Sequence, residues 1–192
     1  MRTIKGQQVI AASSSMLAAV WILALSSIPS ATSYRQQLAA GVEAAKIVTT
    51  YNNLSVIVPI TMIGSWIFTS KWLQGIYDQV ASENPTAIRL KRPWTLWGWL
   101  VPVVSLWFPK FLIDDLLKAK SIKSDDPVSV RDTRLWWATW ISFSLINNIG
   151  VVALVTAEKG YVPSRPELEI AGACMLTGCY LVWIRIIRAI GD

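Results

Sequence analysis

The feature that most constrains this chain is the spacing of its charges. A helix needs about 20 consecutive apolar residues to cross the hydrocarbon core of a bilayer, and four stretches of the 192 residues come close to that or exceed it. No charge falls between Lys5 and Arg35, with residues 9–28 as the apolar part; between Lys46 and Lys71 the core is 54–68. Residues 135–157 form an uncharged run of 23, and residues 170–184 a run of 15, which snorkelling by Arg185 and Arg188 lengthens at one end. Composition agrees: charged residues are 16% of the chain, against about 25% in ordinary soluble domains, and the mean hydropathy is +0.43. The expectation is an all-α integral membrane protein, a single domain over 1–192, with transmembrane helices at about 8–28, 53–72, 134–157 and 168–188. The first window has the flanks of a secretory signal peptide, but Pro29 falls at the third-last position before a cut after Ala31, where a small residue is wanted. It is read as a retained helix.

Orientation follows from counting Lys and Arg on either side of the four spans. With the N-terminus inside, the cytoplasmic side holds 14 and the other side only Arg35, Lys46, Lys159 and Arg165. The positive-inside bias therefore predicts a multi-pass membrane protein with both termini cytoplasmic. The basic surplus does not point to nucleic acid. In the central cytoplasmic segment ten bases are interleaved with seven acids, so no uninterrupted basic stripe exists, and attraction to anionic lipid accounts for the excess.

Within the spans, small and polar residues mark where backbones can approach. Ala11, Ser15 and Ala19 repeat every four residues in the first helix, a stripe suited to helix packing inside the chain or against another protein. Gly64 in the second helix and Gly172, Ala173, Thr177 and Gly178 in the fourth offer similar faces, and Pro59 predicts a kink. Asn147 and Asn148 lie near the middle of the third span, where an unpaired amide is costly. They are expected either to hydrogen-bond between helices or to line a polar path. Cys174 and Cys179 are five apart on one helix and cannot bridge, and they read as small apolar fillers. The outer segment 33–53 reads as interfacial or as an extension of a helix.

The densest chemistry runs from 89 to 119. Trp94, Trp97, Trp99 and Trp107 follow Arg89, Lys91 and Arg92, with Pro at 93, 102 and 109 and Gly98 among the Trp residues. Trp favours the headgroup level, where its ring is buried and its N–H stays wet. The spacing predicts a re-entrant or interfacial hairpin over 93–109, entered and left from the cytoplasmic side. From Pro109 an amphipathic helix over 109–120 is expected, with Lys110, Asp114 and Lys118 at four-residue steps and Leu112, Ile113, Leu116 and Leu117 on the other arc. It should lie on the membrane surface. A cytoplasmic loop, 121–132, then leads to Asp132, a plausible helix cap, and to a second Trp belt at 136, 137 and 140.

Trp72, the run Arg92, Pro93, Trp94, Gly98, Trp99, Pro102, Leu106, Trp107, Pro109, then Asp115, Leu116 and Ala119, and finally Trp136 and Trp137, resemble a family of small four-helix membrane proteins, mainly actinobacterial, catalogued as a domain of unknown function. The pattern is G-W-x-x-P-x-x-x-L-W-x-P followed by D-L, and the similarity spans roughly residues 50–145. Where family members often carry Asn, this chain has Ser105. The resemblance implies the fold and topology and brings no activity.

The chain has no His, which removes the commonest general base and the commonest metal ligand. No catalytic, cofactor or metal site is expected. The leading expectation is a non-catalytic accessory or scaffold subunit packed against a larger membrane protein complex, using Ala11, Ser15, Ala19, Asn147 and Asn148 as helix-packing residues. The alternatives are a small transporter- or channel-like module with a broken-helix path, and binding of anionic lipid at Arg89, Lys91 and Arg92 beside Trp94, Trp97, Trp99 and Trp107.

Overall fold

The computed structural model describes residues 4–43, 46–101, 103–121, 130–156 and 165–191. Among these the chain is all-helical: α1 (Gly6–Ala39), α2 (Thr50–Ser55), α3 (Ile57–Glu83), α4 (Trp94–Trp97), a 3₁₀ turn (Val104–Leu106), α5 (Phe108–Ser121), α6 (Val130–Thr156) and α7 (Pro166–Gly191). Three helical stretches, Gly6–Ala39, Thr50–Glu83 and Pro166–Gly191, are long and apolar enough to cross a membrane. The side chain of Asn148, the helix break expected at Pro102, and residues 122–129 of the expected loop lie outside the described residues.

The helices run past the boundaries that hydropathy suggests. At 34 residues, α1 is about 51 Å long at 1.5 Å per residue, well beyond a hydrocarbon core of about 30 Å. It passes through Pro29, because residues 30–39 contain neither Gly nor Pro to end it. Termination comes at Gly41, whose φ of 83° is a conformation that costs a residue with a Cβ about 1–2 kcal/mol. The Gly41 N–H donates to the Leu38 carbonyl and the Val42 N–H to the Gln37 carbonyl, the paired bonds of a Schellman ending. The first part of the outer 33–53 segment is therefore a helix extension. The expected kink at Pro59 is also displaced. The helical stretch breaks at Val56 and restarts as α3 at Ile57, so that Pro59 sits in a first turn, where its missing N–H and its ring are tolerated.

The long helices form an open row in the order α3, α1, α7, α6: α6 packs on α7, α7 on α1, and α1 on α3, while α3 and α6 share no packed interface among the described residues. Short α5 closes one end of the row, touching α3, α6 and α7. Its apolar arc, expected to face the membrane, packs on protein. Leu112, Ile113 and Leu116 are fully buried and Leu117 nearly so, within a cluster that also holds Val9, Trp72, Leu73, Trp136, Trp183, Ile186, Ile187 and Ile190. Each such side chain stabilises the fold by about 1.5–3 kcal/mol when buried in full. The arc is apolar because it faces protein.

The helix-packing residues fall differently from the expected stripe. Of Ala11, Ser15 and Ala19, only Ala19 is buried; Ala11 and Ser15 are exposed. The face of α1 that packs is Val9, Ser13, Met16, Val20, Ala24 and Ser27, rotated from the expected one. On α7 the small residues admit α6: a Cβ on Gly172 would come within 3.6 Å of Ile146, and one on Gly178 within 3.8 Å of Thr139. Hydroxyls knit the row together. Ser13 and Ser65 oxygens are 3.3 Å apart across α1 and α3, Ser14 bonds Tyr180, and the Trp21 indole donates to Thr177 at 2.9 Å.

Candidate functional site

The α5 end is locked by two charge pairs. Asp115, only 4% exposed, accepts the backbone N–H of Arg89 at 3.0 Å and its Nε at 3.0 Å, with Nη2 at 2.8 Å from the same carboxylate. Arg89 also lies 5.1 Å from the centre of the Phe111 ring. Arg92 grips Asp78 with Nε at 2.7 Å and Nη2 at 2.8 Å. Both guanidinium groups are held above their usual range, chiefly by those carboxylate hydrogen bonds. Charge-assisted forks of this kind are the stronger class of hydrogen bond. Of the three bases expected to meet lipid headgroups, Arg89 and Arg92 thus each hold a carboxylate of the fold, and both remain exposed, as Lys91 is.

The Trp residues split into two populations. Trp72, Trp136 and Trp183 are 3–6% exposed and belong to a continuous chain of rings. Trp72 meets Trp183 edge-on at 6.2 Å, Trp183 stacks on Trp136 at 5.3 Å, and Trp99 stands edge-on to both Trp136 and Trp140. Such pairs add about 0.5–1.5 kcal/mol each beyond area burial. They join α3, α7, α6 and the segment after α4, so the residues expected to form a belt at the interface are in part an aromatic core. Trp97 and Trp107, by contrast, are 52% and 40% exposed. Between them, Trp94 packs edge-on against Phe108 at 4.7 Å, and the Trp137 indole donates to the Leu106 carbonyl at 2.8 Å, tying the segment to α6. Gly98 is required by space: a Cβ there would meet the Trp94 carbonyl oxygen at 2.6 Å.

Because α3 and α6 are not packed together, the row encloses a cavity of about 510 Å³. Its walls come from Met16 and Leu17 of α1, Trp66 and Thr69 of α3, Ile141 and Ser144 of α6, and Tyr180 and Trp183 of α7, and Trp99, Leu100, Ser105 and Leu106 close it toward the α5 end. Among the described residues no lining residue is charged. Sequence reasoning missed this site. The signal available was the Ser13, Ser65 and Thr69 hydroxyls in otherwise apolar helices, but their facing one space depends on helix rotations that hydropathy leaves free. Asn147, expected at a helix contact or path, is exposed, and its amide N–H donates to the Phe143 carbonyl one turn back at 3.1 Å. Ser144 does the same toward Trp140 at 2.9 Å. Cys179 is buried and Cys174 exposed, and among the described residues no three His, Cys, Asp or Glu side chains cluster to hold a metal ion.

The outer face of α3 is the other unpartnered feature. The membrane-length window of Thr50–Glu83 is 17% buried, against 39% for α1 and 44% for α7. Ile57, Ile60, Ile67 and Phe68 are exposed on it, and a Cβ on Gly64 would meet nothing within 4 Å.

No curated protein and no solved structure matches the chain. One family model does match, over residues 35–190. The match starts near the end of α1 and takes in the locked α5 end, the ring chain and every wall of the cavity except that from α1. By that coverage the chain belongs to the family described as a domain of unknown function, DUF4328.

Proposed function

We propose that this protein is a non-catalytic accessory subunit of a larger membrane assembly, which it joins through the outer face of α3. The observation that carries the reading is the low burial of that span, 17% where its neighbours have 39% and 44%. Gly64 makes a notch in a ridge of Ile57, Ile60, Ile67 and Phe68, and a small residue among bulky ones lets a foreign helix backbone come close. The absence of His from the sequence favours association over acid–base chemistry.

In this reading the chain spans a bacterial plasma membrane four times, α6 being the fourth span. That is supported by its 27-residue length and its packing along α7. The 14 Lys and Arg on the side of α5 against 4 on the other put both termini in the cytoplasm and draw anionic lipid to that face. Residues 93–109 dip into the interface as a hairpin, their exposed Trp97, Leu100, Val103, Leu106 and Trp107 against the acyl chains.

The test is purification of the tagged full-length chain in mild detergent, with mass spectrometry of what accompanies it. A stoichiometric membrane partner is expected, and Gly64→Leu should lose it while leaving the chain folded, since the new side chain meets no atom of its own protein. Recovery of a lone chain from wild-type membranes, or a partner retained by Gly64→Leu, overturns the proposal.

A further inference from the structure

We infer that the cavity between α1, α3, α6 and α7 is a binding site for the acyl chain of an ester-linked bilayer lipid, which enters sideways through the gap between α3 and α6. Three observations carry this. The first is the position and chemistry of the mouth. Its rim is Met62 and Ile63 of α3 with Leu100 and Leu106 of the Trp segment, all 45–55% exposed and all lining the cavity. A rim of that kind opens to hydrocarbon and repels water, so what diffuses in is apolar.

The second is the interior. Trp66, Trp99, Trp136, Trp140 and Trp183 offer aromatic surface and no lining residue among those described carries a charge, so an ionised headgroup finds no counter-charge among them and stays at the interface. Polar contacts are ready. The buried Nε1 atoms of Trp66 and Trp99, both in the cavity wall, have no hydrogen-bond partner among the described residues, and Thr69, 6% exposed, lines the cavity too. It lies toward the α5 end, one turn before Trp72 and Leu73 of the core cluster, the depth at which a lipid entering from that side brings its ester carbonyl. The two indole N–H groups and the Thr69 hydroxyl are the donors it meets.

The third is size. A cavity of about 510 Å³ falls in the range of about 300–1,000 Å³ usual for small-molecule sites. None of Ile57, Ile60, Gly64, Ile67 and Phe68 lines it, so it is distinct from the proposed docking face of α3. It stands whether or not a protein partner exists.

The experiment uses the purified full-length chain in nanodiscs of phospholipid that include a phospholipid with a photoactivated diazirine on its acyl chain, followed by peptide mapping. Adducts are expected on Met16, Leu17 and Ile141 inside the cavity as well as on Ile60 and Ile67, which any surrounding lipid labels. Ser144→Trp and Leu17→Trp fill the space and should each reduce the remaining cavity adducts several-fold while the Ile60 and Ile67 adducts persist, which also reports that the variant is folded. Thr69→Val should lower cavity labelling by the ester lipid two- to several-fold. Unlabelled ester phospholipid in excess should compete, and that arm needs no variant. Cavity residues unlabelled beside labelled Ile60 and Ile67, or cavity adducts indifferent to both filling variants, overturn the inference. So does displacement by an isoprenoid quinone but not by ester lipid, which would assign the site to a different carbonyl-bearing chain.

Discussion

The α5 end of the bundle and its middle are built from the same kinds of residue and packed to different degrees. At the α5 end, aliphatic side chains from α1, α3, α5 and α7 interlock with Trp72, Trp136 and Trp183, and Asp115 and Asp78 fasten the connecting segment through Arg89 and Arg92. In the middle, the buried cluster is small, Met16, Val20, Ala24, Phe143, Ala173 and Leu176, and beside it lies a cavity of about 510 Å³. The difference comes from α5. Where it bridges α3 to α6 the open row is closed, and elsewhere the described residues leave a gap between those helices. A stable end thus holds the helices at fixed spacing, and the space between them stays available for binding.

Substitutions should separate the two regions, and the largest effect belongs to the closed end. Leu116→Ala removes a fully buried side chain and should cost about 2–5 kcal/mol, read as a large loss in thermal stability in detergent. Ile141→Ala, on the cavity wall, should cost well under half of that, because one side of Ile141 already lacks packing partners. Equal losses would break the contrast. Next is Asp115→Ala, which strands the Arg89 backbone N–H and guanidinium; about 1–3 kcal/mol is expected, toward the low end because the Arg89 side chain is 59% exposed. Asp78→Ala, in a pair exposed on both sides, should cost no more than about 1 kcal/mol, and the comparison tests whether burial sets the strength of each lock. Gly98→Ala, which sets a Cβ 2.6 Å from a backbone oxygen, should destabilise by about 1–3 kcal/mol, measured the same way. The smallest effect is that of Gly64→Leu, within about 0.5 kcal/mol of wild type, even as it removes the proposed partner.

How much of this could be read from the sequence varies with the kind of interaction. Three helices of membrane length were legible, since a run without charges is a property of the chain itself. The helix at 109–120 was legible from its period, and Phe108–Ser121 is helical. What it packs against was not, because an apolar arc has the same pattern whether it meets lipid or protein. The acids of that helix show the same limit. Spacing singled out Asp114, which pairs with Lys110 within the helix, while Asp115, 26 residues from its partner Arg89, carries the longer-range lock. Trp residues were read as an interfacial belt from their amphipathic character, which suits the exposed Trp97 and Trp107 but not the buried Trp136. On α1 the small-residue stripe could lie on either side of the helix, and the choice of Ser13 over Ser15 as a packing residue came from the neighbours.

By itself the sequence determined that this is an all-helical chain with helices of membrane length, because helix length and charge spacing are local and additive along the chain. The tertiary structure decided the open order α3, α1, α7, α6, the burial of α5, the Arg89–Asp115 lock and the cavity. Each of these depends on how helices rotate about their own axes and which pairs meet. Those rotations are settled by contacts between residues far apart in sequence, and hydrophobic periodicity cannot rank them, since lipid and protein interior reward the same apolar faces.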